Sequence, residues 1–235
     1  LAVLRAIGNW ILARVGAWAA IVLISLRSLF LRLRMSHDNG IATRGRVRFV
    51  QDARYPVNDF FRPGREFPCR CRFAAVSYWD DARLVARGAS LKLADSRYQS
   101  PLDILMNTGH TTPFWNIRTF LQFMWLTIRG RGRNAIWYMQ EDALNYIGSL
   151  TPLRTDPESF AQLYYHSKIP FTFAAADGTP RYIKFRMIPW DRGPESGLPD
   201  PEVSLDWAWC WQGIRPGGTR NRNYLKDELR KATDA

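Results

Sequence analysis

A chain of 235 residues with 46% apolar content is long enough for one substantial core and an appendage, and two full domains would be crowded. Its formal charge of +12 rests on 28 Arg and only 5 Lys, a balance that favours anionic partners: anionic lipid, acidic protein subunits or nucleic acid. Three cysteines, Cys69, Cys71 and Cys210, are an odd set that argues against a secreted disulfide framework and fits reduced thiols in an intracellular or organellar setting.

Residues 1 to 37 carry Arg5, Arg14, Arg27, Arg32 and Arg34, and the first carboxylate is Asp38. Val15 to Leu26 is an apolar run of 12 residues, whereas a full membrane span takes about 20. Trp10 to Phe30 reaches that length only if Arg14 and Arg27 snorkel to the two interfaces. Three readings stay open: a short or interfacial membrane helix, the tail of an organelle-targeting presequence, and a helix buried on a partner. Residues 1-33 are thus expected to be a basic, apolar membrane-contacting or targeting helix, with a folded domain over 34-235. The expected setting is an organellar membrane, mitochondrial in preference, with a cytoplasmic membrane surface as the alternative. Membrane lipid and other protein subunits are the expected partners. Nucleic acid is not expected, because Arg129, Arg131 and Arg133 with Gly130 and Gly132 lack aromatic interleaving and any recognised module.

From residue 40 the chain turns to short β-branched and aromatic runs punctuated by Pro, Gly and Asp, which read as strands. Arg44, Arg46 and Arg48 alternate with smaller residues and so share one strand face, and the run from Cys69 to Phe73 continues the alternation. Further strands are predicted over Ser90 to Ala94, Asp103 to Met106, Phe171 to Ala175, Arg181 to Pro189 and Val203 to Gln212. Helices are predicted over Pro113 to Arg129, Asn134 to Gly148, Asp156 to His166, and Asn221 to Lys231. Strands, a helical insertion, then strands again make an α+β order without the regular alternation of a parallel sheet, and an antiparallel barrel or strongly bent sheet is the expected architecture.

Arg34-Met35-Ser36-His37-Asp38-Asn39-Gly40 places an Arg three residues before a His and a Gly three after it. Cys71-Arg72-Phe73 follows, then Asp81-Ala82-Arg83 through Arg87-Gly88 to Lys92, then Asp103-Ile104-Leu105-Met106-Asn107 with Thr112-Pro113-Phe114 behind it. Phe171-Thr172-Phe173, Asp177-Gly178 and Tyr182-Ile183-Lys184-Phe185 close the series. In this order and spacing the segments resemble the catalase-like superfamily over residues 34 to 186, and catalase-related peroxidases and allene oxide synthases more than true catalases. The resemblance implies a catalase-like antiparallel β-barrel with inserted helices, incomplete at its C-terminal side and preceded by the apolar helix.

It also implies a haem b site for hydroperoxide chemistry, as a peroxidase or a fatty-acid hydroperoxide isomerase at a membrane. His37 and Asn107 would be catalytic, His37 moving the peroxide proton, as a group with pKa near neutrality can, and Asn107 polarising the peroxide oxygens. Arg34 and Arg72 would grip the haem propionates, with Phe114 and Phe123 beside the haem. The alternatives are a linker histidine, a turn asparagine, and core aromatics including Trp115 and Phe120. The family's proximal tyrosine lies farther downstream, so Tyr224, with Asp227 and Arg230 behind it, is a weak candidate iron ligand, and the haem is conditional on such a ligand. A haem-less accessory subunit of a membrane complex is the competing reading. Cys69 and Cys71 form no zinc set. His110 and His166 read as isolated loop or helix-end residues, and Trp207, Trp209 and Trp211 as one packed strand face.

Overall fold

A computed structural model describes residues 2–32, 34, 36–50, 52–76, 80–94, 96, 99–112, 114, 119–121, 155–199 and 219–234. The chain opens with a 30-residue helix, α1 (Ala2–Leu31), about 45 Å long at 1.5 Å per residue. Trp10, Val15, Trp18, Leu23, Leu29 and Phe30 stand exposed along it. The window Arg14–Leu31 is long and apolar enough to cross a membrane by length and composition. A side chain at Gly16 would come 2.8 Å from Leu121, so the missing Cβ lets α1 lie against that residue.

Five strands of the main sheet follow in chain order: β1 (Gly40–Arg48), β2 (Glu66–Ala75), β3 (Arg87–Lys92), β4 (Asp103–Asn107) and β5 (Tyr165–His166). A hairpin of β6 (Phe171–Ala174) and β7 (Pro180–Ile183) precedes the last strand, β8 (Arg186–Met187). The main sheet is antiparallel, in the order β1-β2-β3-β4-β5-β8, and curls into a half-barrel. The fold is therefore the expected mixture of a bent antiparallel sheet and few helices behind an apolar N-terminal helix.

Period-two alternation explains the packing. Cys69, Cys71, Ala89, Leu91, Ile104, Met106 and Tyr165 fall on one face by register and are buried together with Leu93 and Leu163. Arg44, Arg46 and Arg48 stand on the exposed face of β1, as their spacing predicts. The two cysteines are free, and burial pushes the Cys71 thiol up to about 12, so it serves as a small core residue.

Two sequence expectations change. The helix predicted over Asp156 to His166 is a 3₁₀ turn at Phe160–Gln162 followed by β5. Ser159 ends any continuous helix there, its Oγ accepting from the Ala161 N–H, and beyond it burial alternates at Leu163, Tyr165 and Ser167. The single strand predicted over Arg181 to Pro189 is divided between two sheets. Phe185 N–H donates to Ser167 Oγ and Phe185 O accepts from Ser167 N–H, which steers the chain out of the hairpin and into the main sheet. The C-terminal helix, α2 (Tyr224–Asp234), starts three residues later than Asn221. The expected strand Val203 to Gln212, the helix Asn134 to Gly148 and all but a few residues of the helix Pro113 to Arg129 lie outside the described residues, as do Phe123 and Cys210.

Candidate functional site

The link from α1 to β1 is wound tightly. Arg34 N–H donates to Asp38 Oδ1 at 3.0 Å, Gly40 N–H donates to Asp38 O at 3.1 Å, and His37 takes a left-handed backbone with φ of 55°. Such a conformation costs a non-glycine residue free energy and persists where its surroundings enforce it. Here Arg72 of β2 does so: its Nη2 donates to His37 O at 2.7 Å and to Asp38 O at 2.9 Å. Gly40 makes room for that guanidinium, since a Cβ there would lie 2.5 Å from Arg72 Cζ and 2.7 Å from Phe73 O.

The imidazole rests on Gly88 of β3. A Cβ at Gly88 would stand 2.7 Å from His37 Cδ2, 2.8 Å from its Nε2 and 2.9 Å from Asn107 Oδ1. Gly88 is opposite Ala74 on one side and opposite Asn107 on the other, so Asn107 shares the face that carries the imidazole, opposite the hydrophobic core. His37 Nδ1 is 2.9 Å from Ser36 Oγ, and its Nε2 is buried with no hydrogen-bond partner. Burial lowers the His37 pKa below its usual value; the neighbouring Asn107 amide opposes that shift, and the charges of Arg72 and Arg34 add to it. Asn107 acts on the ring as a hydrogen-bonding neighbour, yet it falls short of the geometry of a formed hydrogen bond to Nε2. The imidazole is therefore neutral at pH 7, and in the tautomer that donates from Nδ1 to Ser36 its Nε2 presents a lone pair to the site.

The sequence candidates thus separate. His37, Arg72 and Asn107, far apart in the chain, come together on one sheet face. Arg34 is exposed beside them, close enough to act on His37 and Arg72 by charge. Phe114 is half-buried, edge-on to Phe120 at 5.3 Å between centroids. Tyr224 stands in another setting: its hydroxyl donates to Pro157 O at 2.6 Å and accepts from Arg220 at 3.2 Å. Among the described residues no group of three or more His, Cys, Asp or Glu side chains is placed to hold a metal ion. Sequence reading missed Ser36, and it treated Gly88 as part of a motif without seeing that the ring needs its missing side chain.

The half-barrel gathers His, Arg and Asn on the face opposite its core, and the chain's similarity to known proteins supports a catalase-like superfamily domain. No family model matches the chain. Over 158 residues, 67% of its length, the chain is 39% identical to the allene oxide synthase-lipoxygenase protein of Plexaura homomalla. Over 220 residues, 89% of its length, it is 27% identical to the linolenate 9R-lipoxygenase of Nostoc sp.. It spans 14% of the first relative and 27% of the second. Among solved structures, a fungal catalase and catalase A from Saccharomyces cerevisiae each align over 89% of this chain with a TM-score of 0.48. They are 16% and 17% identical to it, and 42% and 44% of their own lengths are covered.

Proposed function

We propose that this domain handles hydroperoxides with a bound haem, as a peroxidase or a fatty-acid hydroperoxide isomerase, at a membrane surface. The observation that carries this reading is His37 Nε2, a buried nitrogen without a partner, held over Gly88 beside Asn107. An orphaned buried polar atom is expensive and calls for a ligand that completes it.

The residues on this side fit a haem. His37 and Asn107 would face it, and Arg34 and the remaining N–H groups of Arg72 are the cations available to its propionates. When bound, haem supplies the iron that exchanges electrons with the peroxide oxygens. The protein's own part is proton traffic. Neutral His37 accepts the hydroperoxide proton at Nε2 and returns it to the departing oxygen, Ser36 fixes the ring, and the Asn107 amide N–H donates to a peroxide oxygen. Arg72 acts on the chemistry by bracing the His37 backbone. Tyr224 would not serve as a ligand to haem iron, because its hydroxyl is committed to Pro157 and Arg220. A protein ligand to the iron would then come from outside the described residues. The exposed apolar length of α1 ends nine residues before Gly40, so a lipid-bound α1 would hold His37 near the membrane surface.

The commitment of Tyr224 also favours the second reading, a haem-less accessory subunit of a membrane complex. Titrating the full chain with haemin separates the two. A Soret band that forms stoichiometrically, with hydroperoxide turnover lost by about 100-fold or more in His37→Ala, supports the enzyme. No Soret band after haem is supplied sinks it in favour of the subunit.

A further inference from the structure

Five basic side chains crowd the same sheet beyond Asn107. Asn107 of β4 is the direct partner of His166 of β5, and His166 is the direct partner of Arg186 of β8, so the three share one face. His110, just past β4, brings its ring within 6.4 Å of the His166 ring. Lys168 Nζ donates to Thr108 O at 2.7 Å and also to Gly109 O, and Lys184 Nζ donates to His110 O at 3.4 Å. The charges acting on His166 are Lys168, Arg186, His110 and Lys184, all of one sign. None of the five pairs with a carboxylate among the described residues, whereas Arg46, Arg48, Arg181, Arg220 and Arg230 all do. The polar neighbours of Arg186 are uncharged, the Tyr55 hydroxyl at 3.4 Å and the face of the Tyr164 ring. His166 and Lys168 are half-buried, while Lys184, Arg186 and His110 reach solvent, so the patch deepens toward His166.

Gathering like charges is unfavourable unless an anion is shared among them. Among the described residues no carboxylate balances this group, and it is aligned with the candidate site. Asn107 and Arg186 are two strand spacings apart, on the order of 10 Å.

We propose that His110, His166, Lys168, Lys184 and Arg186 form a recognition site for the carboxylate of an amphiphilic substrate whose reacting group lies at His37 and Asn107. This rests on the hydroperoxide reading for the position of the reacting group, but the anion site itself does not need haem. Exposed Leu105 lies on the same sheet face, in the strand that carries Asn107, and offers apolar contact to the chain of such a molecule. The shared chemistry is an oxyanion held by convergent N–H donors, with an alkyl chain rather than free phosphate as its carrier.

Binding of dodecanoate and dodecanol to the full chain without haem tests this, read by isothermal titration and by the His166 ring signals in NMR. Dodecanoate should bind at least 10-fold more tightly than dodecanol, and its carboxylate should move the His166 titration midpoint up toward the ordinary histidine value. Lys184→Gln with Arg186→Gln, both at exposed positions, should cut dodecanoate affinity at least 10-fold and leave dodecanol binding unchanged. Equal affinity for acid and alcohol, or an unmoved His166, overturns the site. Displacement of dodecanoate by inorganic phosphate at equal concentration overturns the amphiphile assignment in favour of a free-phosphate site. A chain that forms no Soret band yet discriminates acid from alcohol sinks only the haem reading. A chain with a Soret band and no discrimination sinks only the carboxylate site.

Discussion

At Gly88 and Gly40 one methyl group decides how the site is held, and the two glycines should respond differently. A Cβ at Gly88 meets the His37 ring and the Asn107 amide, both of them side chains that can turn aside. Gly88→Ala should therefore cost about 1 kcal/mol by urea unfolding, yet displace the His37 ring signals in NMR and abolish any chemistry that depends on Nε2. A Cβ at Gly40 meets the Phe73 carbonyl as well as Arg72, and backbone in mid-sheet cannot yield. Gly40→Ala should cost more, about 2–3 kcal/mol in the same measurement. The ordering of the two variants is the check: equal losses would mean that β1 slides rather than holding Arg72 against the His37 carbonyl.

The element that closes the described chain, α2, is docked by the fully buried Leu225 and by a buried ion pair beside it. Lys226 Nζ and Asp81 Oδ2 meet at 2.7 Å with both side chains buried. Asp81 N–H donates to Arg222 O at 2.7 Å. Beside them Arg87, wholly buried, donates from Nη2 to Asp81 O and Arg83 O and from Nη1 to Val85 O, which shapes the loop that receives the helix. Removing one partner of a buried pair leaves an uncompensated charge, so Asp81→Ala should lower unfolding free energy by about 3–5 kcal/mol. Asp81→Leu with Lys226→Met should recover most of that loss, because two apolar side chains of similar size need no solvation. Tyr224→Phe, which deletes the hydroxyl's bond to Pro157 O and the one it accepts from Arg220, should cost about 1–2 kcal/mol in the same denaturation series.

Over the whole molecule, charge and exposed apolar surface give two further tests. His166 is lowered to about 4, first by burial and then by its four basic neighbours. Between that value and the 6.5 of an exposed imidazole the unfolded chain binds more protons than the folded one, so stability should fall as pH drops from about 6.5 to about 4. Because the ring is only half-buried, solvent screening limits its share to on the order of 1 kcal/mol. His166→Asn should flatten that part of a stability-against-pH curve, leaving the slope due to His37, whose shift has the same sign. The N-terminal helix, α1, exposes Trp18, Leu23 and Phe30. If lipid covers them, Leu23→Arg should weaken partition of the full chain into anionic vesicles by about 2.5 kcal/mol, read by co-sedimentation. Unchanged partition would point to a protein partner as the cover.

What the sequence determined by itself was local. Alternation put Arg44, Arg46 and Arg48 outside and Cys69 and Cys71 inside, because side chains on a strand alternate whatever the strand pairs with. Collinear segments marked His37, Arg72 and Asn107 as belonging together, and composition marked α1 as an apolar helix. What tertiary structure decided was where those residues act. Asp156 to His166 has helical spacing, yet its last two residues become β5 because Asn107 and Arg186 flank His166 as strand partners, and no local pattern announces partners 59 and 20 positions away from His166. That same pairing turned His110 and His166, which look isolated in the chain, into the centre of a basic patch. Tertiary contacts likewise decided how Tyr224, a weak candidate iron ligand in the sequence, uses its hydroxyl, which bonds with Pro157 and Arg220.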